Sequence, residues 1–161
     1  MEQERQVGVG PHPQPWPTEP HYDPELLAEG DRRNVIDTYR YWTVEAIKDD
    51  LAKSAVSLEI AIENWQHDSN IGTIVRTANA FNVKKVHIIG RRQWNQRGAM
   101  VTNRYMTIEH HPTVEAFLDA VSGKTLLAID NLPGAQPLDK AELPADCVMV
   151  FGGEGPGLSD A

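Results

Sequence analysis

At 161 residues, 40% hydrophobic and 24% charged, the chain has enough apolar material for one compact domain with a real core. Its single cysteine, Cys147, rules out an internal disulfide and a cysteine-based zinc site. No apolar run nears the ~20 residues of a membrane span and no basic-then-apolar leader opens the chain, so a cytoplasmic protein is the default expectation.

The net charge of −8 argues against a general nucleic-acid binder, but its distribution does not. Residues 69–108 contain no Asp or Glu, yet they hold Arg76, Lys84, Lys85, Arg91, Arg92, Arg97 and Arg104. An acid-free basic block inside an acidic chain is a candidate phosphate-binding face; a chance cluster on a solvated surface is the plainer alternative.

In chain order, six of the eleven prolines (Pro11, Pro13, Pro15, Pro17, Pro20 and Pro24) crowd the start. They favour extended, solvated backbone, so residues 1–24 read as a disordered tail. Residues 25–54 read as a helical extension: Asp31 is placed to cap a helix over 31–53, and Val35, Tyr39, Trp42, Ala46, Ile47 and Leu51 recur at three- and four-residue steps. From residue 55 onward the pattern alternates. Residues 57–63 (SLEIAIE) predict a strand, 65–70 a turn, and 70–81 a helix striped by Ile71, Ile74, Val75 and Ala78 and ended by Asn82 in a left-handed turn. Residues 85–90 predict a strand, 96–104 a short helix, 113–121 a helix opened by Thr113, and 125–130 and 147–151 two further strands. Apolar strands separated by helices imply an α/β fold, a parallel sheet with helices on both faces, and ligands beyond the carboxyl ends of its strands.

Two segments at such ends carry possible chemistry. The first, residues 151–159 (FGGEGPGLS), has Gly152, Gly153, Gly155 and Gly157 with Glu154 as its only charge. The spacing is neither a dinucleotide fingerprint nor a phosphate loop, although an ordinary turn rarely needs four glycines in six positions. The second, residues 70–81, has Asn70 at its start, which is a good helix cap in the ordinary reading, and Arg76, which points off the apolar stripe. His67, His110 and His111 make no metal-ligand spacing with acidic partners, so no metal is expected. Asp130 and Asn131 end a strand, where they are placed either to meet a ligand or to cap the loop.

Taken together, residues 70–78 (NIGTIVRTA) and 151–159 resemble, in order and separation, the two first motifs of SpoU/TrmH RNA methyltransferases, a branch of the SPOUT superfamily. The likeness covers about residues 55–161. It implies a trefoil-knot α/β domain that transfers a methyl group from S-adenosylmethionine to a ribose 2′-hydroxyl of tRNA or rRNA, working as a homodimer. On that likeness Asn70, Arg76 and Glu154 are the catalytic positions. The donor pocket takes Gly152, Gly153, Glu154, Gly155 and Gly157, together with Ile129 and Asp130. Lys84, Lys85, Arg91, Arg92, Arg97 and Arg104 would grip RNA. A third family motif follows the second, whereas this chain stops at Ala161, two residues past Ser159. The expectation is therefore a fragment or shortened reading frame with an incomplete knot that binds donor weakly or not at all. Two other readings stay open: a non-catalytic RNA-binding protein on the same scaffold, and a nucleotide-binding α/β enzyme of another kind.

Overall fold

The computed structural model describes residues 7–66 and 70–160. The chain divides into two compact units, Met1–Leu51 and Ala52–Ala161. No helix among the described residues is long and apolar enough to cross a membrane.

The first unit departs from the sequence expectation. The proline-rich segment is not a free tail over its described residues. Val9 and Asp31 exchange backbone hydrogen bonds, the His12 amide donates to the Leu27 carbonyl, and the Tyr41 hydroxyl donates to the Gly10 carbonyl at 2.7 Å. Extended proline-rich backbone has little conformational freedom to lose, and its free carbonyls serve as acceptors. Nor is 31–53 one helix. A short helix α1 (Pro24–Glu29) is capped by Asp23, a 3-10 turn covers Asp37–Tyr39, and α2 begins only at Val44 and runs to Lys53. Asp31 does not cap a helix. Its buried carboxylate accepts from the Arg33 amide (2.9 Å), the Arg33 guanidinium (2.8 and 2.9 Å) and the Tyr41 amide (3.0 Å). These bonds hold the intervening chain in a non-helical path, and Tyr41 at φ 64° completes the break.

The second unit is a five-stranded parallel sheet in the order β3-β2-β1-β5-β4. The strands are β1 (Val56–Asn64), β2 (Val83–Gly90), β3 (Ile108–His111), β4 (Leu126–Ile129) and β5 (Val148–Phe151). Helix α3 (Ile71–Ala80) links β1 to β2, and α4 (Val114–Ala120) follows β3. Alternation along the strands splits the core in two. Ile60, Ile62, Val86 and Ile88 pack with Ile71, Val75 and Ala78 of α3. Ala61, Ile89 and Val148 pack with Phe117 and Val121 around α4. Helices therefore cover both faces, as a parallel sheet requires. Asn82 ends α3 at φ 49° and Thr113 caps α4 through the Ala116 amide, both as predicted. The short helix expected over 96–104 is instead two 3-10 turns, Gln96–Ala99 and Thr102–Arg104, separated by Met100 and Val101 in left-handed conformation.

The topology fixes where a ligand site can form. From β1 the chain moves outward through β2 to β3, then crosses to β4 and returns to β5 beside β1. The chain leaves β1 through α3, while the loop after β5 folds back until Ser159 reaches Glu63 at the end of β1, so both segments lie at the strands' carboxyl ends, where parallel sheets bind ligands. The register aligns those ends: Ile62 pairs with Phe151, Asn64 with Gly90, and Ile129 with Phe151.

The α4 face also buries a polar row. The His87 Nε2–H donates to the Glu59 carboxylate at 3.0 Å, and its Nδ1 accepts from the His111 Nε2–H at 2.9 Å. Lys124 binds the other Glu59 oxygen, and Lys85 binds Glu109 at 2.7 Å. Burial pushes both His87 and His111 below the ordinary imidazole value, despite the carboxylate beside His87.

Candidate active site

Two segments meet at these carboxyl ends. The Asn70 side-chain amide donates to Glu154 Oε2 at 2.9 Å, across 84 positions of sequence. Asn70 has helical backbone angles and makes no side-chain cap bond, so the ordinary capping role does not apply; its amide is turned toward the glycine loop instead. Arg76 is exposed on α3, about 9 Å further along the axis by helical rise, and takes no part in the Asn70–Glu154 bond. Residues 67–69, within the expected turn and including His67, lie outside the described residues.

The loop after β5 is a closed hairpin. Gly153 and Gly157 exchange two backbone hydrogen bonds of 3.0 Å. A side chain at residue 152 would put its first carbon 2.0 Å from the Gly157 carbonyl, and Gly157 itself sits at φ 74°. These two glycines are thus required for the loop to fold against itself. At Gly155 nothing lies within 4 Å of where a side chain would begin, so the tip faces open space.

Two carboxylates sew this loop to the sheet. Asp130, at the end of β4, accepts from the Leu158 amide at 3.0 Å and from the Asn131 amide at 2.7 Å; those two bonds, from Leu158 first, hold its carboxyl below the usual value. Of the two roles open to Asp130 on sequence, the loop cap is the one its bonds fill. Ile129 is half-buried in β4, paired with Phe151. Glu63, buried at the end of β1, accepts from the Ser159 amide at 2.9 Å and from the Ser159 hydroxyl. Sequence reasoning missed Glu63. The signal was present: residues 59, 61 and 63 share one strand face, so an acid at 63 had to be buried and needed donors.

Asn64 was also missed. It is fully buried, and its amide donates to the carbonyls of Arg91 (2.7 Å) and Gln93 (3.0 Å), which ties the loop after β2 to the end of β1. Its Oδ1 is buried without a partner. Gly72 lets α3 approach the Gln96–Ala99 turn closely, since a side chain there would meet the Asn95 carbonyl at 2.8 Å.

The basic block does not form a single face. Arg91 and Arg92 follow the carboxyl end of β2, and Arg97 and Arg104 lie in the 3-10 turns beyond; all four are exposed. Lys84 and Lys85 belong to the opposite end of β2, roughly 20 Å from Arg91 at strand rise. There Lys85 pairs with Glu109 and Lys84 stands 4.0 Å from Glu59. They therefore lie at a separate place on the unit from Arg91 and Arg92.

Residues 57–161 match the family described as the SpoU rRNA Methylase family. No curated protein matches the chain. Solved structures share the fold. One described as an A. aeolicus TrmH/SpoU tRNA-modifying enzyme is 20% identical with a TM-score of 0.60, over 73% of this chain and 62% of that one. A structure concerned with 2-OH methylation of C/U34 on tRNA is 23% identical with a TM-score of 0.57, over 63% of this chain and 70% of that one. AviRb from Streptomyces viridochromogenes, a SpoU methyltransferase in complex with AdoMet, is 18% identical with a TM-score of 0.54, over 63% of this chain and 43% of that one.

Proposed function

Because the chain belongs to the SpoU rRNA methylase family, we propose that its protein transfers a methyl group from S-adenosylmethionine to a ribose 2′-hydroxyl of tRNA or rRNA, acting as a cytoplasmic homodimer. The observation that carries this reading is the 2.9 Å Asn70–Glu154 bond, which joins the two polar segments at the carboxyl ends of β1 and β5. The likeness to proteins described as acting on tRNA and binding AdoMet supports the substrate and donor.

The shape of the glycine loop supports donor binding. Gly155 leaves the loop tip open, while the Gly153–Gly157 pairing and the anchors at Glu63 and Asp130 hold that tip in place. S-adenosylmethionine supplies an electrophilic methyl on a sulfonium when bound. The chain's own residues have two tasks: to fix the attacking oxygen and to raise its nucleophilicity. A guanidinium offers five N–H donors and no acceptor, so the role open to Arg76 is electrostatic. Beside a ribose it stabilises the developing alkoxide and holds the neighbouring phosphate. Asn70 and Glu154 position one another, and in this reading Glu154 takes the hydroxyl proton. Arg91, Arg92, Arg97 and Arg104 supply exposed charge for RNA phosphates.

The test is label transfer from methyl-labelled S-adenosylmethionine to tRNA and rRNA by the whole protein, with the product mapped to the 2′-oxygen. Arg76→Ala is expected to lower turnover by about 10²–10³ and leave S-adenosylhomocysteine binding within a few-fold. RNA retention with no methyl transfer by the unaltered protein would refute the proposal in favour of a non-catalytic binder.

A further inference from the structure

The buried polar row on the α4 face lies apart from the Asn70–Glu154 site, and the methyl-transfer reading makes no use of it. We propose that His87 Nδ1, His111 Nε2 and a Glu109 carboxylate oxygen form a binding site for one zinc-class divalent metal ion, with water completing the coordination.

The topology makes the site and sequence spacing hides it. His87 and Glu109 are register partners on adjacent parallel strands, and His111 follows Glu109 on the same face. One ligand atom from each lies within 4.8 Å of the other two. Two imidazoles and a carboxylate are a donor set suited to zinc. The site is reachable, because β3 is an edge strand and the Glu109 side chain is 42% exposed.

What surrounds the ligands points the same way. Glu59 Oε2 accepts from His87 Nε2–H at 3.0 Å, which keeps the proton on that nitrogen and leaves the Nδ1 lone pair aimed at His111. A carboxylate on the far nitrogen of a histidine ligand is the usual outer partner in metal sites. Lys124 balances the Glu59 charge, so this outer carboxylate costs little when buried. Phe117 packs edge-on against both rings, at 5.4 and 5.6 Å, and fixes their planes.

Two contacts must yield when an ion enters. His111 gives up its hydrogen bond to His87 by carrying its proton on Nδ1 instead of Nε2, a change of tautomer with no net proton released. Lys85 must leave Glu109, to which it is bound at 2.7 Å. Lys85 is therefore a competitor for the site, which gives the proposal an unusual signature. Removing a nearby cation that is no ligand tightens binding, by about fivefold if the pair is worth what partly exposed ion pairs usually are.

The experiment titrates the 161-residue chain with Zn²⁺ by calorimetry and with Co²⁺ by visible absorption. One saturating ion per chain, with a cobalt spectrum of low-symmetry nitrogen and oxygen coordination, is expected. Glu109→Ala should weaken Zn²⁺ at least tenfold, His111→Ala should abolish it, Glu59→Gln should weaken it 10–100-fold, and Lys85→Met should tighten it. Glu109 is half-exposed at a sheet edge, so its variant reports even where His111→Ala does not fold. The absence of saturable binding, or binding indifferent to Glu109→Ala, would leave the row as a hydrogen-bonded core network and overturn the site. The readout needs neither RNA nor methyl donor, so it stands or falls independently of the proposed activity.

Discussion

Replacing Asp31 with Asn removes a charge that four hydrogen bonds converge on, and the structure gives the size of the effect. Burial on its own would raise the Asp31 carboxyl. The Arg33 guanidinium and amide and the Tyr41 amide more than offset it, and the group falls from 3.8 to about 2. That difference corresponds to about 2 kcal/mol favouring the folded form. A depressed folded value contributes stability above the unfolded value near 3.8 and loses it as pH falls through about 2. Asp31→Asn should therefore cost about 2 kcal/mol at pH 7 and flatten the dependence of stability on pH between about 4 and 2. Urea unfolding followed by tryptophan fluorescence, repeated at several pH values, measures both. An Asn variant with an unchanged midpoint at pH 7, or with the acid sensitivity of the parent, would show that the Arg33 and Tyr41 contacts do not bind the carboxylate as described.

The glycine loop yields a matched pair of variants. Gly152→Ala must push apart backbone now 2.0 Å from the new carbon and should cost about 1–3 kcal/mol of loop stability, whereas Gly155→Ala points into open space and should be neutral. Amide hydrogen exchange over 152–158 distinguishes them, and equal effects would contradict the hairpin. Glu63→Ala should speed exchange at Ser159 and its neighbours by at least about tenfold, the loss of one charged hydrogen bond. Glu63→Gln should fall between, because an amide can accept from the Ser159 N–H and donate to its hydroxyl.

Much of the second unit was legible because its signals are local. Leu58, Ile60 and Ile62 alternate, Ile71, Val75 and Ala78 recur at helical steps, and Asn82 and Thr113 mark ends through their own backbone or side chain. The convergence of the α3 start with the glycine loop was legible through motif order, but the bond between Asn70 and Glu154 was not. The first unit was not, because its path is set by Asp31 reaching residue 41 and by Val9 reaching residue 31, neither of which leaves a periodic trace. The spread of the basic block was misjudged for a related reason. A linear window counts charges without length, and a strand carries Lys85 and Arg91 to different ends of the sheet. The His87–Glu109–His111 cluster needed the β2–β3 register, which no single segment encodes.

Placing β1 beside β5 also dictates when the site can exist. Their register joins Glu59 to Val148 and Ile62 to Phe151, contacts that close a loop of nearly ninety residues. The ordering entropy of such a closure is larger than that of the β1–β2 and β2–β3 pairings, which join neighbours in sequence. Asn70 leaves the ribosome some eighty residues before Glu154, so an emerging chain cannot hold a ligand between them until β5 has docked beside β1.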